Sequence, residues 1–181
     1  MNTYLHQYES QGEVDWNSWS QLMEFIGIAN GKKVYPDDCE RHKELCAFVA
    51  DTPRLFDVDS DAFPLCFQNV LMLEKDRTIR GEADLIFIAP GEKIILVECK
   101  TLTSSAQSAK YAARSQARRQ LRKCHDFLTS RFHIRCEGRV IVYDSVHHPN
   151  SLWWSAYDIK RDESWDRPTV PYQKQQRRIG K

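Results

Sequence analysis

The sequence predicts an α/β domain, and three observations carry that expectation. Short apolar runs at Leu65–Leu73, Leu85–Ala89 and Lys93–Lys100 follow one another with turn-forming residues between them, as β-strands do. Directly after them, Ala113, Ala117, Leu121, Cys124 and Leu128 recur at four, four, three and four residues, the period of a helix. Hydrophobic residues make up 41% of the 181-residue chain and charged residues 28%, an ordinary balance for a chain that buries its own core. A single domain over 1–181 is expected, with its core at 65–159.

The elements follow in chain order. Trp16, Trp19, Met23 and Ile26 recur at helical steps after a capping Asp15, which predicts a first helix ending near Gly27 or Gly31. Pro36 with Asp37 and Asp38 makes a first helical turn, because proline needs no amide there and carboxylates favour the positive end of a helix. Cys39, His42, Cys46 and Val49 then form an apolar-leaning stripe that Asp51-Thr-Pro closes. The strand at Leu65–Leu73 ends in the polar turn Glu74–Arg77. Pro90-Gly91-Glu92 joins the next two strands as a hairpin. A long helix is expected from Ser104 to about Arg131, then strands at Arg139–Tyr143 and Leu152–Ile159, the last with Trp153 and Trp154 on opposite faces. The basic tail 173–181 is poor in apolar residues and expected to fray.

Composition excludes several classes. The longest apolar runs fall far short of the roughly 18 residues that suggest a membrane span, and the polar start has no signal-peptide core. A cytoplasmic protein without membrane association is expected. Six cysteines without a CxxC pair suit reduced thiols, and Cys124, His125, His133 and Cys136 have no common zinc spacing. Net charge is +1, so the whole-molecule field selects no partner. Locally the picture changes: between Glu98 and Asp126 there is no acidic residue. Lys110, Arg114, Arg118 and Arg122 recur there every four residues, a ridge that could track a phosphate backbone.

Side chains alternate along a strand, so Glu98 and Lys100 share a face and Cys99 takes the other. A three-residue loop at 90–92 sets Ala89 against Lys93, and counting outward pairs Asp84 with Glu98 and Glu82 with Lys100. All four then line one wall. Opposed carboxylates about 5 Å apart repel, and a divalent cation resolves the conflict. Asp84 and Glu98 supply the oxygens that Mg²⁺ or Mn²⁺ takes, the Cys99 carbonyl can add a ligand, and Lys100 can hold the attacking water. Phosphodiester hydrolysis is the chemistry this set suits.

Gly81-Glu-Ala-Asp84, an apolar strand, a turn and Glu98-Cys-Lys100 resemble the PD-(D/E)XK nuclease superfamily, over residues 80–143, and are most similar to its NERD-like and RecB-like branches. The resemblance implies a restriction-endonuclease-like mixed sheet flanked by helices. It also implies that Asp84 and Glu98 bind metal and that Lys100 assists the nucleophile. A glutamine on the following helix is part of the RecB-like pattern. Gln120 matches it, without the tyrosine that often comes four residues later. Glu40, His42 and Glu44 are candidates for the ligand that an upstream helix often donates.

The expected function is therefore a metal-dependent nuclease, with DNA ahead of RNA as substrate. Its catalytic residues are Asp84, Glu98, Lys100 and Gln120, its metal ligands Asp84, Glu98 and Cys99, and its nucleic-acid contacts Lys110, Arg114, Arg118 and Arg122. Two alternatives stay open: a non-catalytic nucleic-acid- or protein-binding module on the same fold, and a cap-snatching-like viral RNA endonuclease with His42 as ligand. Self-association or membership of a larger assembly is left open as well.

Overall fold

Helical period and strand alternation are realised as three helices and seven strands among the described residues of a computed structural model, namely 16–30, 40–73, 78–89, 91–104 and 106–173. Helix α1 spans Trp16–Asn30 and α2 spans Glu40–Asp51, with a single 3₁₀ turn at Pro53–Phe56 after it. The expected Asp15 cap, the Pro36–Asp38 first turn, the Glu74–Arg77 turn, Pro90 and the tail beyond Gln173 lie outside the described residues. Strands β1 (Leu65–Leu73), β2 (Ile79–Ala89) and β3 (Lys93–Leu102) are followed by α3 (Gln107–Phe132), then β4 (Arg135–Asp144) and β5 (Ser151–Asp158). Two short strands, β6 (Glu163–Asp166) and β7 (Val170–Pro171), complete the order.

The fold is α/β: one mixed sheet in the order β1-β2-β3-β4-β5-β6, with β7 also paired to β5. β3 and β4 are parallel and joined through α3, and every other pairing is antiparallel. Helices cover both faces. Trp19, Leu22 and Ile26 of α1 pack with Ala117, Leu121 and Leu128 of α3 against Ile86, Leu96 and Val140 of the sheet. On the opposite face Leu45, Cys46 and Val49 of α2 pack with Phe56 against Leu85, Phe87, Val97 and Ile141. Both sides of β3 are therefore covered, which is why its sequence is almost continuously apolar. Trp153 joins the first layer and Trp154 the second, the two opposite faces that alternation predicts.

Three boundaries differ from the sequence expectation. β2 starts at Ile79 instead of Leu85, because pairing with β1 holds the polar stretch from 79 to 84 in the sheet. β4 starts at Arg135 instead of Arg139, because the parallel ladder with β3 runs from Lys93–Arg135 to Leu102–Asp144. α3 starts at Gln107 rather than Ser104, after an extended Ala106 that offers no side-chain cap. The strands β6 and β7 were not expected; both are short, β6 being polar and β7 ending in a proline, features that edge strands tolerate. Among the described residues no helix is long and apolar enough to cross a membrane.

Candidate active site and metal-binding cluster

The site forms where β2 leaves β3. Ala89 faces Lys93 as the loop length predicts, but the ladder ends at Leu85–Val97 and does not continue to Asp84–Glu98 or Glu82–Lys100. The expected single wall built by register is thereby corrected, and its cause is a bend shared by β1 and β2. Asn69 adopts a positive φ of 53°, a left-handed conformation that asparagine tolerates better than most residues. It stands opposite Asp84, between the pairs Gln68–Leu85 and Val70–Ala83. Across this bend the faces exchange: Ile86 and Ile88 join the layer under α3, and so does Ala83, three residues before Ile86 rather than two. Asp84 sits at the switch.

On the α3 side, Glu98 and Lys100 share a face as parity requires. Lys100 Nζ donates to Glu98 Oε1 at 2.6 Å and to Gln120 Oε1 at 2.7 Å. Gln120 Nε2 in turn donates to Glu82 Oε1 at 3.2 Å. The helix reaches this network because Gln120 flanks the buried stripe of Ala117, Leu121 and Cys124, and because Gly81 lets β2 approach Cys124 closely. Glu98 is 1% exposed, and its Oε2 is buried with no hydrogen-bond partner. Burial, and then the charge of Asp84, push the Glu98 carboxyl well above the usual carboxylate range, against the pull of Lys100. The two acids therefore sense one another although no ladder pair joins them.

On the α2 side, the amide of Cys99 donates to Asp84 Oδ2 at 2.7 Å, so the carboxylate occupies the ladder position that β2 vacates. Asp84 Oδ1 lies 3.1 Å from His42 Nε2, and Cys46 Sγ lies 3.5 Å from the same nitrogen. The hydrogen bond to Asp84 pushes the His42 imidazole up to about 11, with Cys46 adding to it. A hydrogen bond from the Cys99 thiol lowers the Cys46 thiol against the effect of burial, and His42 assists. The ligand atoms of His42, Cys46 and Asp84 all lie within 4.8 Å of one another. Of the three upstream candidates, His42 meets Asp84, while Glu40 is exposed and Glu44 half-buried. Sequence reasoning placed Cys46 in the apolar stripe and missed it as a donor. Its spacing from His42, four residues on a helix, was the available signal.

The basic ridge is placed differently from expectation. Lys110 pairs with Asp144 at 2.9 Å, and Arg114 stacks 3.4 Å from the ring centre of Trp153. Arg118 donates to Ser164, and Arg122 donates to Tyr157 at 3.0 Å and pairs with Asp162. These four side chains turn toward β4, β5 and β6, across the helix from Gln120. Lys110, Arg114, Asp144 and Trp153 line a cavity of about 310 Å³ there. The physical reason is that a repeat of four overshoots a 3.6-residue turn by about 40° at each step, so the ridge winds around α3 toward the acids and aromatics of the later strands. Arg119 and Lys123 are exposed on α3. Compared with protein-family models, curated proteins and solved structures, the chain matches none of them.

Proposed function

We propose that this protein is a metal-dependent nuclease of the PD-(D/E)XK type that hydrolyses phosphodiester bonds in DNA, with RNA as the second substrate. The observation that carries this reading is Glu98. A carboxyl group 1% exposed, with one oxygen on the Lys100 ammonium and the other buried without any partner beside a second acid, has a donor position in the interior that Lys100 alone does not satisfy. Asp84, at the bend of β2, adds a second negative group whose charge acts on Glu98. This donor set fits a hard ion: Asp84 and Glu98 would hold Mg²⁺ or Mn²⁺, with the Cys99 carbonyl in reach along β3. When bound, such an ion supplies Lewis-acid stabilisation of the phosphoryl oxygens and a more acidic water.

The chain's own residues complete the chemistry. An ammonium has three donors, and Lys100 spends two on Glu98 and Gln120, which leaves one for the attacking water or a phosphate oxygen. Gln120 is a positioning residue: it fixes Lys100 through its carbonyl and is itself fixed by Glu82. The test is incubation of labelled DNA and RNA with the protein in Mg²⁺, Mn²⁺ or EDTA. Cleavage is expected with metal, none with EDTA, and a loss of about 10²-fold or more in Glu98→Gln and in Lys100→Ala, both checked for native circular dichroism. No metal-dependent cutting of either polymer would sink the proposal. A second reading, a cap-snatching-like RNA endonuclease, draws support from the contact of His42 with Asp84, and preference for single-stranded RNA with Mn²⁺ distinguishes it.

A further inference from the structure

The geometry points to a second, thiophilic cation site formed by His42, Cys46 and Asp84 and sharing Asp84 with the hydrolytic site, of the class that takes Zn²⁺ and accepts Co²⁺ as a spectroscopic substitute. His42 and Cys46 lie one turn apart on α2 and present their ligand atoms to the same point, which Asp84 meets from the β2 bend. Around a tetrahedral zinc, with Zn–N about 2.0 Å and Zn–S about 2.3 Å, a nitrogen and a sulfur ligand stand about 3.5 Å apart, and a nitrogen and an oxygen about 3.3 Å. The observed separations are 3.5 Å for His42–Cys46 and 3.1 Å for His42–Asp84. An ordinary ion pair accounts for the histidine and the aspartate. The thiol of Cys46, hydrogen-bonded to the same His42 nitrogen, adds a soft third donor atom to the pair.

Access and support fit as well. The side chains of His42 and Asp84 are 23% and 15% exposed and open the cluster to solvent, whereas Cys46 is 2% exposed and forms its floor. Three protein ligands leave the fourth position to water, the mark of an exchangeable site rather than a closed structural one. Behind the ligands, the Cys99 amide holds Asp84 in place. Thiolate and imidazole select zinc-class ions, whereas Mg²⁺ prefers oxygen alone, so the two metal classes divide at Asp84, the residue common to both. Zinc at this cluster therefore withdraws Asp84 from the hydrolytic ion and inhibits cleavage. That consequence rests on the nuclease reading; the site itself does not.

Titration of the reduced full-length protein with Co²⁺, followed by thiolate-to-cobalt charge-transfer absorption in the near ultraviolet, tests the site without reference to activity. A band that saturates at about one equivalent and is displaced by Zn²⁺ is expected. It is lost in Cys46→Ser and kept in Glu98→Gln, which disables hydrolysis but not this cluster. Asp84→Asn retains the thiolate and shifts the Co²⁺ midpoint at least about tenfold, so the outcome does not hang on the cysteine variant folding. Absence of the band in the wild type, its survival in folded Cys46→Ser, or an unmoved midpoint in Asp84→Asn overturns the site. In cleavage reactions with Mn²⁺, added Zn²⁺ lowers the wild-type rate at least tenfold. Cleavage indifferent to Zn²⁺ refutes the inhibition while leaving the nuclease reading intact.

Discussion

Gly81 sets how closely β2 and α3 approach. A Cβ at that position would lie 2.9 Å from Cys124 Sγ and 3.2 Å from the Cys124 backbone nitrogen, so any side chain forces the strand and the helix apart. The same contact brings the Cys124 thiol within 3.1 Å of the Glu82 carbonyl, to which it donates. Gly81→Ala is expected to cost about 1–3 kcal/mol, the usual range for overpacking a core, measured by urea denaturation. Cys124→Ala in the same chain should return part of that loss by removing the sulfur. The backbone contact remains, so full recovery in the double mutant would show that the sulfur alone sets the spacing. Because Gln120 lies one turn from Cys124, the displaced helix also loosens its bond to Lys100, and the proposed cleavage should fall along with stability.

At the scale of elements, α3 carries two flanks with different duties. Arg114, Arg118 and Arg122 hold β5 and β6, whereas Gln120 looks toward β2 and β3. Arg114→Ala should cost about 1 kcal/mol through loss of its stack on Trp153 and, on the proposed nuclease reading, leave the salt dependence of nucleic-acid binding unchanged. Charge reversal at the exposed Arg119 and Lys123 should do the opposite: stability stays, and the slope of log Kd against log salt falls by about one for each lost phosphate contact. Equal salt slopes in all variants would mean that Arg119 and Lys123 make no phosphate contact. The sequence made part of this arrangement legible. Alternation was enough to put Glu98 and Lys100 together, since β3 is unbroken, and helical period was enough to put Gln120 at the edge of the stripe. The bend at Asn69 and Asp84 was not legible, because it depends on one left-handed residue in a neighbouring strand. The partners of the basic ridge were equally hidden, since Trp153, Tyr157 and Ser164 come from strands, and Asp162 from a turn, laid down after the helix.

The molecule as a whole is tied together at the carboxyl end of the parallel pair, where Asp144 joins elements distant in sequence. It ends β4 beside Leu102 of β3, accepts the amides of Val146 and His147, bonds the His147 ring at 3.1 Å and pairs with Lys110 near the start of α3. Burial alone would raise this carboxyl, but the His147 amide, Lys110 and the other donors outweigh it and hold it far below the usual carboxylate range. A depressed folded value gives stability that is fully present above the unfolded value of about 3.9 and is lost as pH falls through the folded one. Asp144→Asn should therefore be less stable than the wild type by about 1–3 kcal/mol near neutrality, the cost of leaving charged and amide donors poorly matched. The gap should narrow only below about pH 4, as the wild-type carboxylate takes up its proton. Denaturant titrations across that range measure it directly. A gap that does not change with pH would mean that the mismatched hydrogen bonds of the amide, rather than the lost charge of Asp144, account for the destabilisation.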